Sequence, residues 1–374
     1  MAKSLLSGVF RRWITSIDSV LLFSTFALIA VGLWISIAST PAVAIKLGFS
    51  PFHFVKRHVL IAPIAVAIVV FISFLQTRHI RRWAIVGYVG CLFLIVVSLF
   101  FGNEVKGARR WLNICGISLQ PSEFLKPILS IMTAWFIAEQ YRDRKFPGII
   151  LSLVSIAIVT PLLLLQPDVG MAIIIVVSWV AQLFISGLSI FMIATFVLSS
   201  IGSLVGLYFA FPHFADRIDR FMVRDGDDVD LYQIQKSVDA FKSGGILGKG
   251  PGEGVIKTLV PDAHSDFVFS VIGEEFGFIS CFVVILIFAV FISRALVKVA
   301  DSPSIFKFSA VFGIVVQITM QTLINICTSL NIIPTKGMTL PFISYGGSSL
   351  LASAISVGII LALTKKNIMS QDVL

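Results

Sequence analysis

Charge is scarce in this sequence. Of its 374 residues only 13% are charged and 57% are hydrophobic, and the mean hydropathy is +0.97. A soluble domain of this size has no interior large enough to hide that much apolar surface. The scarcity therefore excludes a soluble fold, and with it nucleic-acid binding, which needs a basic domain in water. What fits is an all-α polytopic membrane protein, a bundle whose helices cross about 30 Å of hydrocarbon and satisfy their own backbone there. Cysteine is scarce too. Cys91, Cys281 and Cys327 lie in apolar runs, Cys115 stands in a loop, and no C-x-x-C pair occurs. These read as small packing residues. Neither an internal repeat nor a separate soluble segment is visible, so 1–374 reads as a single membrane domain.

Hydrophobic runs fall near 19–38, 58–75, 84–101, 123–138, 148–165, 170–186, 188–210, 267–292, 307–330 and 342–364. Each approaches the roughly 20 residues a spanning helix needs, which predicts about ten spans. The first run is too long for a signal-peptide core and lacks a small-residue cleavage site, so it reads as the first span. Lys3, Arg11, Arg12, Arg78, Arg81, Arg82, Arg142, Arg144, Lys145, Arg294, Lys298, Lys307, Lys365 and Lys366 fall on one face. The positive-inside rule then places both termini in the cytoplasm. The opposite face keeps Lys46, Lys56, Arg57, a group from Lys106 to Lys126, and Lys336. Cations that oppose the topology rule need another reason to exist. The net charge of +9 is thus read by position rather than by its sum.

The longest non-spanning segment, 211–265, is predicted to lie outside the cytoplasm between the seventh and eighth spans. It begins with charged clusters (Asp216 to Arg220, Arg224 to Asp228), continues through an interfacial helix over Tyr232 to Phe241, and ends in a glycine-rich loop over Gly244 to Gly254. That loop is not a Walker motif: three residues instead of four separate Gly244 from Gly248, and Gly250 replaces the hydroxyl residue. Asp227, Asp228 and Asp230 lack the glutamate a calcium loop requires. No convincing ligand set for a metal appears, although a divalent cation would suit phosphate chemistry.

Several polar motifs interrupt the apolar runs. Arg109-Arg110-Trp111-Leu112 leads to Gln120-Pro121-Ser122-Glu123-Phe124-Leu125-Lys126, where Glu123 and Lys126 share a helix face. Gln166-Pro167-Asp168-Val169-Gly170 marks a tight turn. Residues 331–349, with Pro334, Lys336, Pro341, Ser344 and Tyr345, predict a broken or re-entrant segment, tolerated at membrane depth only inside protein or beside a cavity. His264-Ser265-Asp266-Phe267 opens the eighth span, with Gly273-Glu274-Glu275-Phe276-Gly277 inside it. An acid at a helix lip marks a functional site by default. On a helical projection Ser270, Gly273 and Gly277 fall within about 40° of Asp266. This small-residue stripe leaves room beneath the acid for a helix or a substrate, lipid tails included. Glu274 is adjacent to the stripe, and Glu275 points to the opposite face.

Taken in order, these blocks resemble the SEDS family (shape, elongation, division and sporulation) of peptidoglycan glycosyltransferases, and Thr335-Lys336-Gly337 with Leu340 to Ser349 resembles its division-type branch. The departures are small, Ser265 and Val260 standing where Thr and Leu are common. The resemblance implies polymerisation of lipid II into glycan strands at the septum of the bacterial inner membrane. It also implies a class B penicillin-binding protein and other divisome proteins as partners, besides membrane lipids. Asp266 matches the family's essential aspartate and is assigned as general base. Arg109, Arg110, Lys126 and Lys336 are assigned to the leaving pyrophosphate, with Glu123 positioning Lys126. His264, Ser270, Glu274, Ser344 and Tyr345 are assigned supporting places. A lipid II flippase or transporter and a non-catalytic divisome scaffold are the alternatives.

Overall fold

The computed structural model describes residues 13–365 apart from 106, 115, 116, 189, 211, 213, 214, 216–228, 335 and 336. Lys336, Lys106, Cys115 and most of the charged clusters in 216–228 therefore lie outside the described residues. So do Lys3, Arg11, Arg12 and Lys366.

Among the described residues ten long helices coincide with the ten apolar runs. They are α1 (Ser19–Ser39), α3 (His53–Ser73), α4 (Thr77–Phe101), α5 (Pro121–Arg142), α6 (Gly148–Leu165), α7 (Val169–Ile185), α8 (Ile190–Ala210), α10 (Val268–Ala300), α11 (Ile305–Ser329) and α12 (Gly347–Leu363). Six of them, α1, α3, α4, α6, α10 and α11, are long and apolar enough to cross a membrane. Two lesser helices, α2 (Pro41–Lys46) and α9 (Val229–Gly244), complete the set, and α9 includes the interfacial helix expected over Tyr232 to Phe241. The bundle is helical, as hydrocarbon demands of a backbone with no water to bond.

One small element within the all-α bundle is not helical. Residues between α4 and α5 form an antiparallel meander, β1 (Asn103–Val105), β2 (Ala108–Ile114) and β3 (Ile117–Leu119). At the end of the bundle a short connection can pair its backbone with itself, and two tight hairpins do so here.

Helix ends follow local chemistry. Asp18 caps α1 by accepting from Val20 N and Leu21 N at 3.1 and 3.2 Å. It also takes Arg294 Nε and a guanidinium NH2 at 3.0 and 2.8 Å, and Lys298 Nζ at 3.2 Å. Asp168 caps α7 through Met171 N at 3.4 Å, and Ser304 caps α11 through Lys307 N at 3.4 Å. The central helix is α11. Its spanning stretch is 61% buried against 22–44% for the other five apolar spans, and it packs on α5, α7, α9, α10 and α12.

The longest helix, α10, is broken at Gly277, whose φ of 75° and ψ of −178° belong to a region that only glycine adopts readily. The break releases backbone groups, and the glycine loop after α9 takes them up. Lys249 N and Gly250 N donate to the carbonyls of Glu274 and Glu275 at 3.0 and 2.9 Å, while Phe278 N donates to Gly245 O at 3.0 Å. A Cβ at Gly277 would overlap Ile246 O and Gly248 N. The small-residue stripe is occupied the same way: a Cβ at Gly273 would overlap the Phe241 ring, and Gly244 rests on the backbone of Gly273 and Glu274. The room beneath Asp266 is thus filled mainly by α9, with an apolar cavity of about 290 Å³ left between Phe241, Phe269, Phe278, Phe282 and Leu330.

Two outcomes follow. Gly277→Ala should lower the thermal midpoint in detergent far more than Gly252→Ala, whose φ of 87° is also positive but whose Cβ would meet nothing within 4 Å. Equal losses would mean that the packed break does not matter. For Asp18, burial pushes the carboxyl up, but its bonds to Arg294, Leu21 N and Lys298 outweigh this and hold it down to about 2 against the ordinary 3.8. A depressed carboxylate stabilises fully above the ordinary value, and that contribution disappears as pH falls towards 2. Asp18→Asn should flatten the stability profile between those limits; an unchanged acid limb would remove Asp18 from it.

Candidate active site

Asp266 lies half-buried in the turn over 261–267 that leads into α10, its N–H donating to Asp262 O at 3.0 Å. Three successive carbonyls of this lip are each taken by another element. Tyr345 N donates to His264 O at 2.9 Å, Ser344 Oγ donates to Ser265 O, and Asn325 Nδ2 donates to Asp266 O at 3.0 Å. Ser344 Oγ also accepts from Leu340 N at 2.8 Å, closing the re-entrant segment on itself. Phe54, His264 and Tyr345 cluster with ring centroids 5.0–5.6 Å apart, Phe54 stacking on His264 and Tyr345 tilted against both. Gly337 comes close enough that a Cβ there would sit 3.5 Å from Asp266 Oδ2. The structure therefore brings His264, Asp266, Ser344 and Tyr345 together, with the segment that carries Lys336 alongside.

Of the four cations grouped at the sequence level, the three that are described, Arg109, Arg110 and Lys126, do not gather. Arg110 reaches from β2 to the turn before α7. Its Nε donates to Gln166 O at 2.9 Å, a terminal nitrogen donates to Pro167 O, and it lies 3.8 Å from Asp168. Burial pushes the Asp168 carboxyl up, and Arg110 opposes that. Lys126 pairs with Glu123 at 2.7 Å on α5, with both side chains 7% exposed. Its Nζ also donates to Gln321 Oε1. Arg109 faces solvent on the other side of the strand, half exposed and 3.4 Å from Glu104. Alternation along β2 separates the two arginines, since neighbouring strand residues point to opposite faces. Gln120 Nε2 reaches Asp168 at 3.4 Å, joining the Arg110 and α5 clusters. Among the described residues no group of three His, Cys, Asp or Glu side chains comes together to hold a metal ion.

A family model described as a cell cycle protein, covering FtsW, RodA and SpoVE, matches residues 19–368. The chain belongs to this family. It is 39% identical over 355 residues to a probable peptidoglycan glycosyltransferase FtsW of Caulobacter vibrioides, covering 95% of this chain and 90% of that protein. It is 35% identical to the protein of the same description from Trichlorobacter lovleyi, with 92% of each chain covered. Among solved structures it resembles a chain from a study of structural coordination of polymerization and crosslinking by a peptidoglycan synthase complex, with a TM-score of 0.78 at 23% identity over 93% of this chain and 97% of that one. It also resembles the rod shape determining protein RodA of Thermus thermophilus, with a TM-score of 0.67 at 24% identity over 93% and 96%. The chain is thus a multi-pass membrane protein with the family's helical fold.

Within this family fold the supporting residues divide. Ser270 Oγ donates to Phe267 O at 2.7 Å, and Glu274, fully buried, accepts from Ile256 N and Lys257 N at 2.7 Å each. Glu275 pairs with Lys257 Nζ, their side chains 0% and 8% exposed. The projection set the two glutamates on different duties. The structure puts both on one loop, because residues 254–257 fold against α10 broadly enough to reach adjacent positions. Sequence reading passed over Gln317, Gln321 and Asn325, three amides at helical spacing on one face of α11. Polar residues recurring every four positions in an apolar span were the available signal. It also passed over Arg57 as a site neighbour, whose guanidinium bonds the Tyr345 hydroxyl.

The buried Lys257–Glu275 pair yields a stability test. Lys257→Met alone strands a buried carboxylate and should cost about 3–5 kcal/mol. Combining it with Glu275→Leu should recover most of that loss. Equal midpoints for the single and double variants in detergent unfolding would show that the charge pairing is not what holds the loop.

Proposed function

We propose that this chain is a peptidoglycan glycosyltransferase of the division type, polymerising lipid II into glycan strands at the septum. Relatives matched across nearly the whole length of the chain are described as probable peptidoglycan glycosyltransferases, which supports the reading. The observation that carries the mechanism is the Asp266 carboxylate at the mouth of the bundle, on a lip pinned by three hydrogen bonds from two other elements and flanked by Gly337.

In this reading the acceptor sugar hydroxyl attacks the anomeric carbon of the lipid-linked donor. A new C–O bond forms as the bond to pyrophosphate breaks, inverting that carbon, and the electron pair leaves on the pyrophosphate. Asp266 accepts the hydroxyl proton, a step worth about 10²–10⁴-fold. Arg109 and Lys336 meet the departing charge. Arg110 and Lys126 contribute from behind: each is already engaged by protein acceptors and fixes the meander and α5 from which the pyrophosphate site is built. Glu123 holds Lys126. His264, Ser344 and Tyr345 keep the lip in place, and Ser270 and Glu274 hold the turn and loop beneath it.

The ten apolar helices are assigned as ten spans with both termini in the cytoplasm, and 211–265 as an extracytoplasmic loop within one membrane domain over 1–374. The loop charges support this orientation in the inner membrane. A class B penicillin-binding protein, crosslinking the strands beside other divisome proteins, is the partner such a product requires.

Asp266→Asn, purified with that partner, should lower lipid II polymerisation by about 10²–10⁴-fold while the fold is retained. Polymerisation at the wild-type rate would sink the general-base assignment. The Glu123–Lys126 pair inside α5 is the observation that favours a transporter, since such pairs line membrane pathways. Passage of lipid II across vesicles without glycan product would favour that reading, and partner recruitment without either activity would favour a scaffold.

A further inference from the structure

We infer that Asn325 and Gln321, one turn apart on α11, are positioning residues that set the register between the Asp266 lip and the segment facing it. Asn325 is 1% exposed and donates through one amide nitrogen to two carbonyls, Asp266 O at 3.0 Å and Met338 O at 2.6 Å. It therefore clips together two chain segments that meet at Gly337 and the Asp266 carboxylate. Gln321 repeats the arrangement one turn away. Its Nε2 donates to Thr339 O at 3.0 Å and Thr339 Oγ1 at 3.2 Å, while its Oε1 accepts from Lys126 Nζ. Thr339 Oγ1 in turn lies 2.7 Å from Ser349 Oγ at the start of α12. Gln317 extends the same face to Lys126 O at 2.9 Å and Ser178 Oγ at 3.0 Å, tying α5 and α7 to the ladder.

Residues 337–346 are non-helical inside a membrane bundle, so their backbone groups depend on such partners. A side-chain NH2 suits this need because it carries two donors, and Asn325 uses its own on two carbonyls, while Gln321 donates to Thr339 and also accepts from Lys126. The α11 face thus fixes where Asp266 stands relative to the segment that carries Lys336, and it couples that distance to the buried Glu123–Lys126 pair. Neither amide touches the reacting atoms.

This inference rests on the reading of Asp266 as the base, and its test separates the two. In Asn325→Ala, backbone hydrogen exchange followed by mass spectrometry should quicken over 264–270 and over 338–345 together, and stay unchanged in α12. With lipid II and the partner, kcat should fall about 100-fold, the scale of a misplaced catalytic group, with KM within a few-fold of wild type. Asn325→Ser, which keeps one donor, should recover part of both effects. Unaltered exchange in either segment would overturn the clip, whatever the activity. Quickened exchange with wild-type kcat would overturn positioning while leaving the base assignment intact. A wild-type protein that forms no glycan under conditions where its relatives do would sink the activity reading, and the exchange result would still decide the clip.

Discussion

Backbone that is not helical inside hydrocarbon must find its hydrogen bonds in protein, and most of this structure can be read as the answer to that constraint. Two places violate helical regularity: the break at Gly277 in α10 and the segment between α11 and α12. At the first, a glycine-rich loop supplies two amides to orphaned carbonyls and a carbonyl to an orphaned amide. At the second, side-chain amides from α11 and hydroxyls within the segment do the same. The second of these devices also holds the turn that carries Asp266. Irregularity is expensive in hydrocarbon, so each break is matched by its own set of partners.

Buried charge follows the same economy of position. Lys257 and Glu275 fasten the loop to α10, while Glu123 and Lys126 fasten α5 to the central helix through Gln321. Neither pair is free to meet a ligand without breaking an existing contact. Among the described residues the cation left open to solvent on the meander is Arg109, and Arg57 stands near Tyr345. Among the described cations, the outer ones are accessible and the inner ones stiffen the wall.

The helices were legible because a helix in lipid must be apolar along its length, so composition alone marks each run; α1, α6 and α7 begin and end within a residue or two of the predicted limits. The position of Asp266 at the lip of α10 was legible for the converse reason, since it is the acid that stands where the apolar run begins. The meander at 103–119 was not, because short strands pairing only with each other need no long apolar pattern. Helical projection correctly found the small face of α10 but misjudged Glu274 and Glu275, since it describes a helix and not the loop laid across it. The grouping of Arg109 with Arg110 failed for a similar reason: on a strand, neighbours in sequence face apart.

What the sequence determined by itself was the solvent of the fold, the approximate number and limits of its helices and the family resemblance. Those follow from hydropathy and from local motifs, which are properties of contiguous residues. Tertiary structure alone decided which cations are spent on protein and which face outward, that α9 fills the space under Asp266, and that amides of α11 bind the lip to the re-entrant segment. These depend on hydrogen bonds between positions tens to hundreds of residues apart. Such bonds are fixed by how the helices pack, and no local pattern records them.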